Sequence, residues 1–100
     1  MKLVFAEEAR RDLLAIGDYI AKDNPRRALS FAEEIEWHCK RITDYPLACP
    51  LVPGHEASGI RRAVHGRYAI FYTTGEGTVH ILHIVSGAMN YETVLFPDSE

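Results

Sequence analysis

Tyr68-Ala69-Ile70-Phe71-Tyr72-Thr73-Thr74-Gly75-Glu76-Gly77-Thr78-Val79-His80-Ile81-Leu82-His83-Ile84-Val85 is the stretch from which the fold is read. Its first run, Tyr68 to Thr73, is dense in aromatic and β-branched residues and reads as a strand. Gly75-Glu76-Gly77 supplies a hairpin turn. Thr78 to Val85 is a second strand, apolar at nearly every position apart from His80 and His83. A strand apolar on both sides belongs in the interior of a sheet whose two faces are both covered. His80 and His83 stand three apart, so strict alternation predicts opposite faces.

Working outward, Ile60 to Val64 reads as a further strand, which makes a three-stranded meander. The segment from Asp44 to Gly59 carries Pro46, Pro50, Pro53, Gly54 and Gly59 and reads as irregular. Before it lie two helical patterns. Ala9, Leu13, Ile16 and Ile20 share one helix face, with Glu7 and Glu8 in the first turn, where carboxylates suit the helix dipole. Asp12 and Asp18 lie off that stripe and are expected to face water. Asp23-Asn24-Pro25 ends this helix and starts the next, with Asn24 as N-cap and Pro25 in the first turn. The second stripe is Ala28, Phe31, Ala32, Ile35, Cys39 and Ile42. So short a connection folds the helices back as an antiparallel hairpin. Residues 2–5 are a short strand, and Ala88 to Phe96 a short tail with apolar Tyr91, Val94, Leu95 and Phe96. The predicted fold is α+β, in the order β-α-α-β-β-β, with a helical hairpin packed on a small antiparallel meander sheet. The expected organisation is a single domain over 1–96 and a C-terminal tail over 97–100.

Bulk properties narrow the function. One hundred residues are one domain's worth of chain, 47% hydrophobic and 25% charged, which is ordinary for a globular domain. The net charge of −3 argues against a broad nucleic-acid footprint, so no direct nucleic-acid binding is expected. Glu7 and Glu8 interrupt the N-terminal apolar run too early for a secretory leader, and no apolar run approaches the roughly 20 residues needed to span a bilayer. The expectation is a cytoplasmic protein, away from membranes, with Cys39 and Cys49 reduced. His38, Cys39, Cys49 and His55 include zinc-ligand types, but their spacing fits no structural zinc pattern, and no metal or other cofactor is expected.

Several residues stand out as contacts. Arg61, Arg62 and Arg67 are three cations within seven residues, suited to acidic groups on a partner. Tyr68 adjoins them. Trp37 and Leu29 lie off the main stripe of their helix and with Tyr19 suggest an exposed apolar patch, a seat for an amphipathic segment. Tyr91 in the tail and His83 on the last strand complete the set. For both His80 and His83, a hydrogen-bonded sheet histidine is the plainer alternative.

Asp12-Leu13-Leu14-Ala15-Ile16, Tyr19-Ile20-Ala21 and Asp23-Asn24-Pro25 followed by Ala28 resemble the helical hairpin of ParE toxins. Gly59-Ile60-Arg61 and Tyr68-Ala69-Ile70-Phe71-Tyr72 resemble the central strands of that family. Val79-His80-Ile81-Leu82-His83-Ile84-Val85 with Ser86-Gly87-Ala88 resembles its last strand and C-terminal turn. The resemblance is to the ParE/RelE toxin superfamily and spans about residues 3–91. It implies the toxin of a type II toxin–antitoxin system, neutralised by a cognate ParD-like antitoxin and directed at DNA gyrase when free. The resemblance also admits a RelE-like ribosome-dependent mRNA interferase, or a non-toxic member kept as an antitoxin partner. The nuclease needs groups that activate the 2′-hydroxyl, stabilise the phosphorane and protonate the leaving oxygen, which RelE-type enzymes take from Lys, Arg and a C-terminal Tyr. No Lys or Arg follows Arg67 in this chain. The resemblance therefore implies a binding inhibitor without a hydrolytic site of its own. Many ParE toxins end on a basic residue and a His-Gly-Ala-Arg-Asp-like turn; this chain has His83, Ser86, Met89 and Asn90 there.

Overall fold

The computed structural model describes residues 1–87 and 89–97. Beyond Pro97, the expected tail lies outside the described residues, as does Ala88. The elements are β1 (Lys2–Phe5), α1 (Glu7–Ala21), α2 (Pro25–Asp44), β2 (Arg61–His65), β3 (Tyr68–Gly75), β4 (Thr78–Ser86) and α3 (Tyr91–Leu95). The order is the expected β-α-α-β-β-β, extended by α3, a single helical turn within the expected short tail, capped by the Asn90 side chain. The predicted loop after α2 contains a 3-10 turn at Glu56–Ser58.

Four strands form one sheet in the order β1-β4-β3-β2. The meander β2-β3-β4 is antiparallel, while β1 lies parallel to β4, pairing Lys2 to Phe5 with Thr78 to Ile81. The doubly apolar β4 is therefore interior. On one face Phe31, Ile35, Cys39 and Ile42 of α2, with Ala9 of α1, pack on Ala63, Ile70, Tyr72, Val79, Ile81 and Ile84. On the other face Val52, Ile60, Phe71 and Val85 form a second cluster covered by Tyr91, Val94, Leu95 and Phe96. Ile60, expected in a strand, precedes β2 and is buried in this cluster instead. Ala32, expected in the stripe, is turned outward, because the stripe drifts and Phe31 and Ile35 already fill the contact.

The caps match the residues. Asn24 Oδ1 accepts from the Arg27 N–H at 3.1 Å, and Pro25 occupies the first turn of α2. Asp12 does not face water. β1 stops at Phe5, so β4 has no strand neighbour on that side beyond Ile81. Asp12 of α1 is half-buried there, and its Oδ2 accepts from the Ile84 N–H at 3.0 Å. The β3–β4 pairing also shifts between Phe71 and Tyr72: Phe71 pairs with His83 and Tyr72 with Ile81, leaving Leu82 unpaired. By this register His83 and His80, opposite Phe71 and Thr73, fall on the same side of the sheet. The bulge cancels the alternation that predicted opposite sides.

The loop from Tyr45 to Gly59 is held to the sheet. The Arg62 N–H donates to the Pro50 carbonyl and the Val52 N–H to the Ile60 carbonyl, so the loop runs briefly as an extra strand along β2. Arg61 donates to the Cys49 and Leu47 carbonyls at 2.7 and 3.3 Å, and the Tyr72 hydroxyl donates to the Pro46 carbonyl at 2.8 Å. Both cysteines are free; burial pushes the Cys39 thiol up to about 12. No helix among the described residues is long and apolar enough to cross a membrane.

The β3–β4 turn centres on Glu76 and Gly77, both in left-handed geometry (φ 52° and 73°). Two positive φ values match a type I′ turn, which prefers Asn-Gly. An L side chain such as Glu is disfavoured there, whereas Asn tolerates it. Glu76→Asn is expected to stabilise the fold by about 0.5–1 kcal/mol, or about 3–6 °C in Tm. Calorimetry checks this; a lower Tm contradicts the turn assignment.

Candidate functional site

The structure separates the three arginines. Arg61 is spent on the loop carbonyls described above. Arg62 points to the second sheet face, its guanidinium carbon 5.7 Å from the centre of the Tyr91 ring. Arg67 is exposed in the turn between β2 and β3, where its carbonyl accepts from the Gly87 N–H at 2.7 Å. Tyr68, next in sequence, packs on Phe31 with ring centres 4.9 Å apart. His83 is held by Asp12, Nδ1 to Oδ2 at 2.9 Å, the arrangement of a hydrogen-bonded structural histidine. Trp37 is 61% exposed and lies under Arg41 at 5.0 Å. Tyr91 is half-buried and stacked on Phe71 at 5.2 Å. Of the seven candidates, then, Arg62 meets Tyr91 and Arg67 meets Tyr68; Arg61, His83 and Trp37 stand apart.

Three surfaces result. The first is the outer side of the helical hairpin. Leu14, Tyr19, Leu29 and Trp37 are all strongly exposed there. Between the helices runs a groove of about 440 Å³ lined by Leu13, Leu14, Gly17 and Ala32, with Arg10 and Asp18 at its rim. Gly17 has open space where a Cβ would stand, which deepens the groove. The predicted patch residues Tyr19 and Leu29 are exposed on the same helices but do not line it.

The second surface is the C-terminal cover of the sheet. His55 Nε2 lies 3.0 Å from Glu92 Oε2, and its ring stacks on Phe96 with centres 3.9 Å apart. These contacts clamp α3 over Phe71 and Val85. The third is a hollow between α2 and the β2–β3 turn, built from a network that periodicity does not reveal. His38 Nδ1 and His65 Nδ1 lie 2.8 Å apart, so one imidazole must donate and the other accept. His65 Nε2 is 3.4 Å from Glu34 Oε1, and Glu34 is paired with Arg27 at 2.6 Å. The guanidinium of Arg27 holds the Glu34 carboxyl below its ordinary range. Among the described residues, no group of three or more His, Cys, Asp or Glu converges as a metal site.

Burial, then the neighbouring His65 and Arg41, lower the His38 pKa from 6.5. The unfolded chain therefore takes up this proton first as pH falls, and the folded state loses stability from about pH 6.5 downward. The depressed Glu34 carboxyl acts in the same direction, but only below 4.5. Between pH 7.5 and 5 the melting temperature is expected to fall, and His38→Asn, which keeps a donor without a titrating ring, is expected to flatten that slope. Thermal melts across this range measure it; an unchanged slope in the variant contradicts the assignment.

Comparison with known proteins agrees with this geometry. The family model described as "ParE toxin of type II toxin-antitoxin system, parDE" matches residues 3–91. No curated protein sequence matches the chain. Among solved structures, the fold is similar to a chain of the chromosomal ParDE toxin–antitoxin system from P. aeruginosa, with a TM-score of 0.74, 21% identity, and 86% of this chain and 95% of that one covered. It is also similar to a chain of the RelBE2 toxin–antitoxin complex from Mycobacterium tuberculosis, with a TM-score of 0.58, 26% identity, and 85% and 95% covered. An interior doubly buried strand, a helical hairpin on one face and a family match over nine-tenths of the sequence lead to one assignment: the chain belongs to the ParE toxin family of type II toxin–antitoxin systems.

Proposed function

We propose that this ParE-type toxin works by binding. In this reading a ParD-like antitoxin neutralises it in the cytoplasm by laying the apolar face of an amphipathic helix into the α1–α2 groove, and the free toxin inhibits DNA gyrase without hydrolytic chemistry of its own. The observation that carries the antitoxin half is the groove itself: an apolar floor of Leu13, Leu14 and Ala32, with one cation and one anion at the rim to set direction. The binding-inhibitor half is supported by the lack of any Lys or Arg from Tyr68 to Glu100. A phosphorane needs fixed cations, and apart from Arg62 the sheet's second face offers an apolar floor.

One observation favours the second reading, a RelE-like mRNA interferase. Arg62 and Tyr91 meet on that second face, an arginine and a C-terminal tyrosine in reach of each other. Purified toxin added to a gyrase supercoiling assay and to a translation extract separates the two. Loss of supercoiling with intact mRNA is the expected outcome; A-site cleavage of mRNA contradicts it. Leu14→Glu, at a side chain already 69% exposed, is expected to leave the fold intact and to weaken the antitoxin complex about tenfold or more, since it places a charge on the apolar floor. Titration calorimetry with a ParD-like antitoxin reads this directly.

A further inference from the structure

The hollow between α2 and the β2–β3 turn has no part in the reading above. It measures about 410 Å³ and is lined by Arg27, Phe31, Glu34, His65, Gly66, Arg67 and Tyr68. That volume falls within the range of sites for small ligands. Its wall on α2 is one helix face, since Arg27, Phe31 and Glu34 fall at i, i+4 and i+7. The opposite wall is a two-residue hairpin loop with Gly66 at φ 60°, the position where a type II′ turn places glycine. That loop is fixed from behind by the Gly87 N–H on the Arg67 carbonyl.

The charges do not cancel. Glu34 is occupied: Arg27 takes both of its oxygens, at 2.6 and 3.2 Å, and His65 sits 3.4 Å from one of them. Two guanidiniums against one carboxylate leave the hollow at +1 with His65 neutral, in a chain whose net charge is −3. Among the described residues, no ion pair engages Arg67 and no hydrogen bond engages the Tyr68 hydroxyl. A planar guanidinium and a phenol on adjacent residues present donors that suit a bidentate oxyanion. Beside them the tilted Phe31 and Tyr68 rings offer an apolar wall for the body that carries it.

We infer that this hollow is an oxyanion-binding site, seating a carboxylate or phosphate group on Arg67 and Tyr68 with its apolar portion against Phe31. The chemistry is the same whether the group is an acidic side chain of a polypeptide or belongs to a small phosphorylated molecule. Phenyl phosphate and succinate are the two probes, each titrated at constant ionic strength while arginine Nε–Hε NMR signals are followed.

Saturable shifts at Arg67 and Arg27, with Arg10 and Arg61 unmoved, are the expected result. Preference for phenyl phosphate assigns the small phosphorylated molecule, and preference for succinate the polypeptide carboxylate. Arg67→Ala, whose lost side chain is exposed and whose structural bond is made by the backbone, is expected to weaken binding about tenfold, the worth of one charge-assisted pair. Tyr68→Phe keeps the ring contact and is expected to weaken it by a smaller factor. Shifts that grow linearly across all arginines, or an Arg67→Ala curve matching the wild type in a variant with unchanged Tm, overturn the inference. Neither result bears on gyrase or on the α1–α2 groove, so this site and the toxin's mode of action fail separately.

Discussion

The burial of β4 on both faces is the constraint from which the other arrangements follow. Val79, Ile81 and Ile84 are covered by the helical hairpin, and Val85 and Leu82 by the C-terminal cover. Each fully buried aliphatic side chain of this kind contributes about 1.5–3 kcal/mol relative to exposure. Such a strand must also satisfy its backbone on both edges, because a buried N–H left unpaired costs about 1–3 kcal/mol. β3 serves one edge from Thr78 to Ser86, interrupted only at the Leu82 bulge. β1 serves the other only as far as Ile81, and Asp12 takes over at Ile84. One carboxylate thus sets where α1 lies along the sheet, and it holds His83 as well.

With α1 placed, α2 follows through the short Asn24–Pro25 connection, and the outer side of the hairpin becomes the groove. A layer that spends one stripe on the core leaves the opposite stripe unspent. Leu14, Leu29 and Trp37 occupy that side. On the far face the sheet has no helix pair, and the molecule completes itself with the proline-rich loop and α3. Arg61, Tyr72 and His55 are absorbed in holding those segments down. These groups are therefore poor candidates for chemistry even though their residue types suit it.

Much of this was legible in the residues. Both helices and the Asn24 cap followed from the 3.6-residue stripe, and β4's central place from apolar residues on both of its faces. What escaped was set by partners far apart in the chain. Asp12 looked solvent-facing because its stripe position ignores a strand 72 residues away. The bulge at Leu82 reversed the relation of His80 to His83, since a register shift leaves no trace in a strand's composition. Arg61, Arg62 and Arg67 looked like one patch because they are near in sequence, but β2 alternates its faces and Arg67 lies beyond its end. The His38–His65–Glu34–Arg27 network joins α2 to the end of β2, 27 residues beyond His38, and no local pattern announces it.

Amide hydrogen exchange at Ile84 tests the central claim most directly. If Asp12 completes the edge of a doubly buried strand, this amide exchanges only through global unfolding, with the same free energy as its neighbours in β4. Exchange of Ile84 at the rate of an exposed amide, while Ile81 stays protected, would contradict the account.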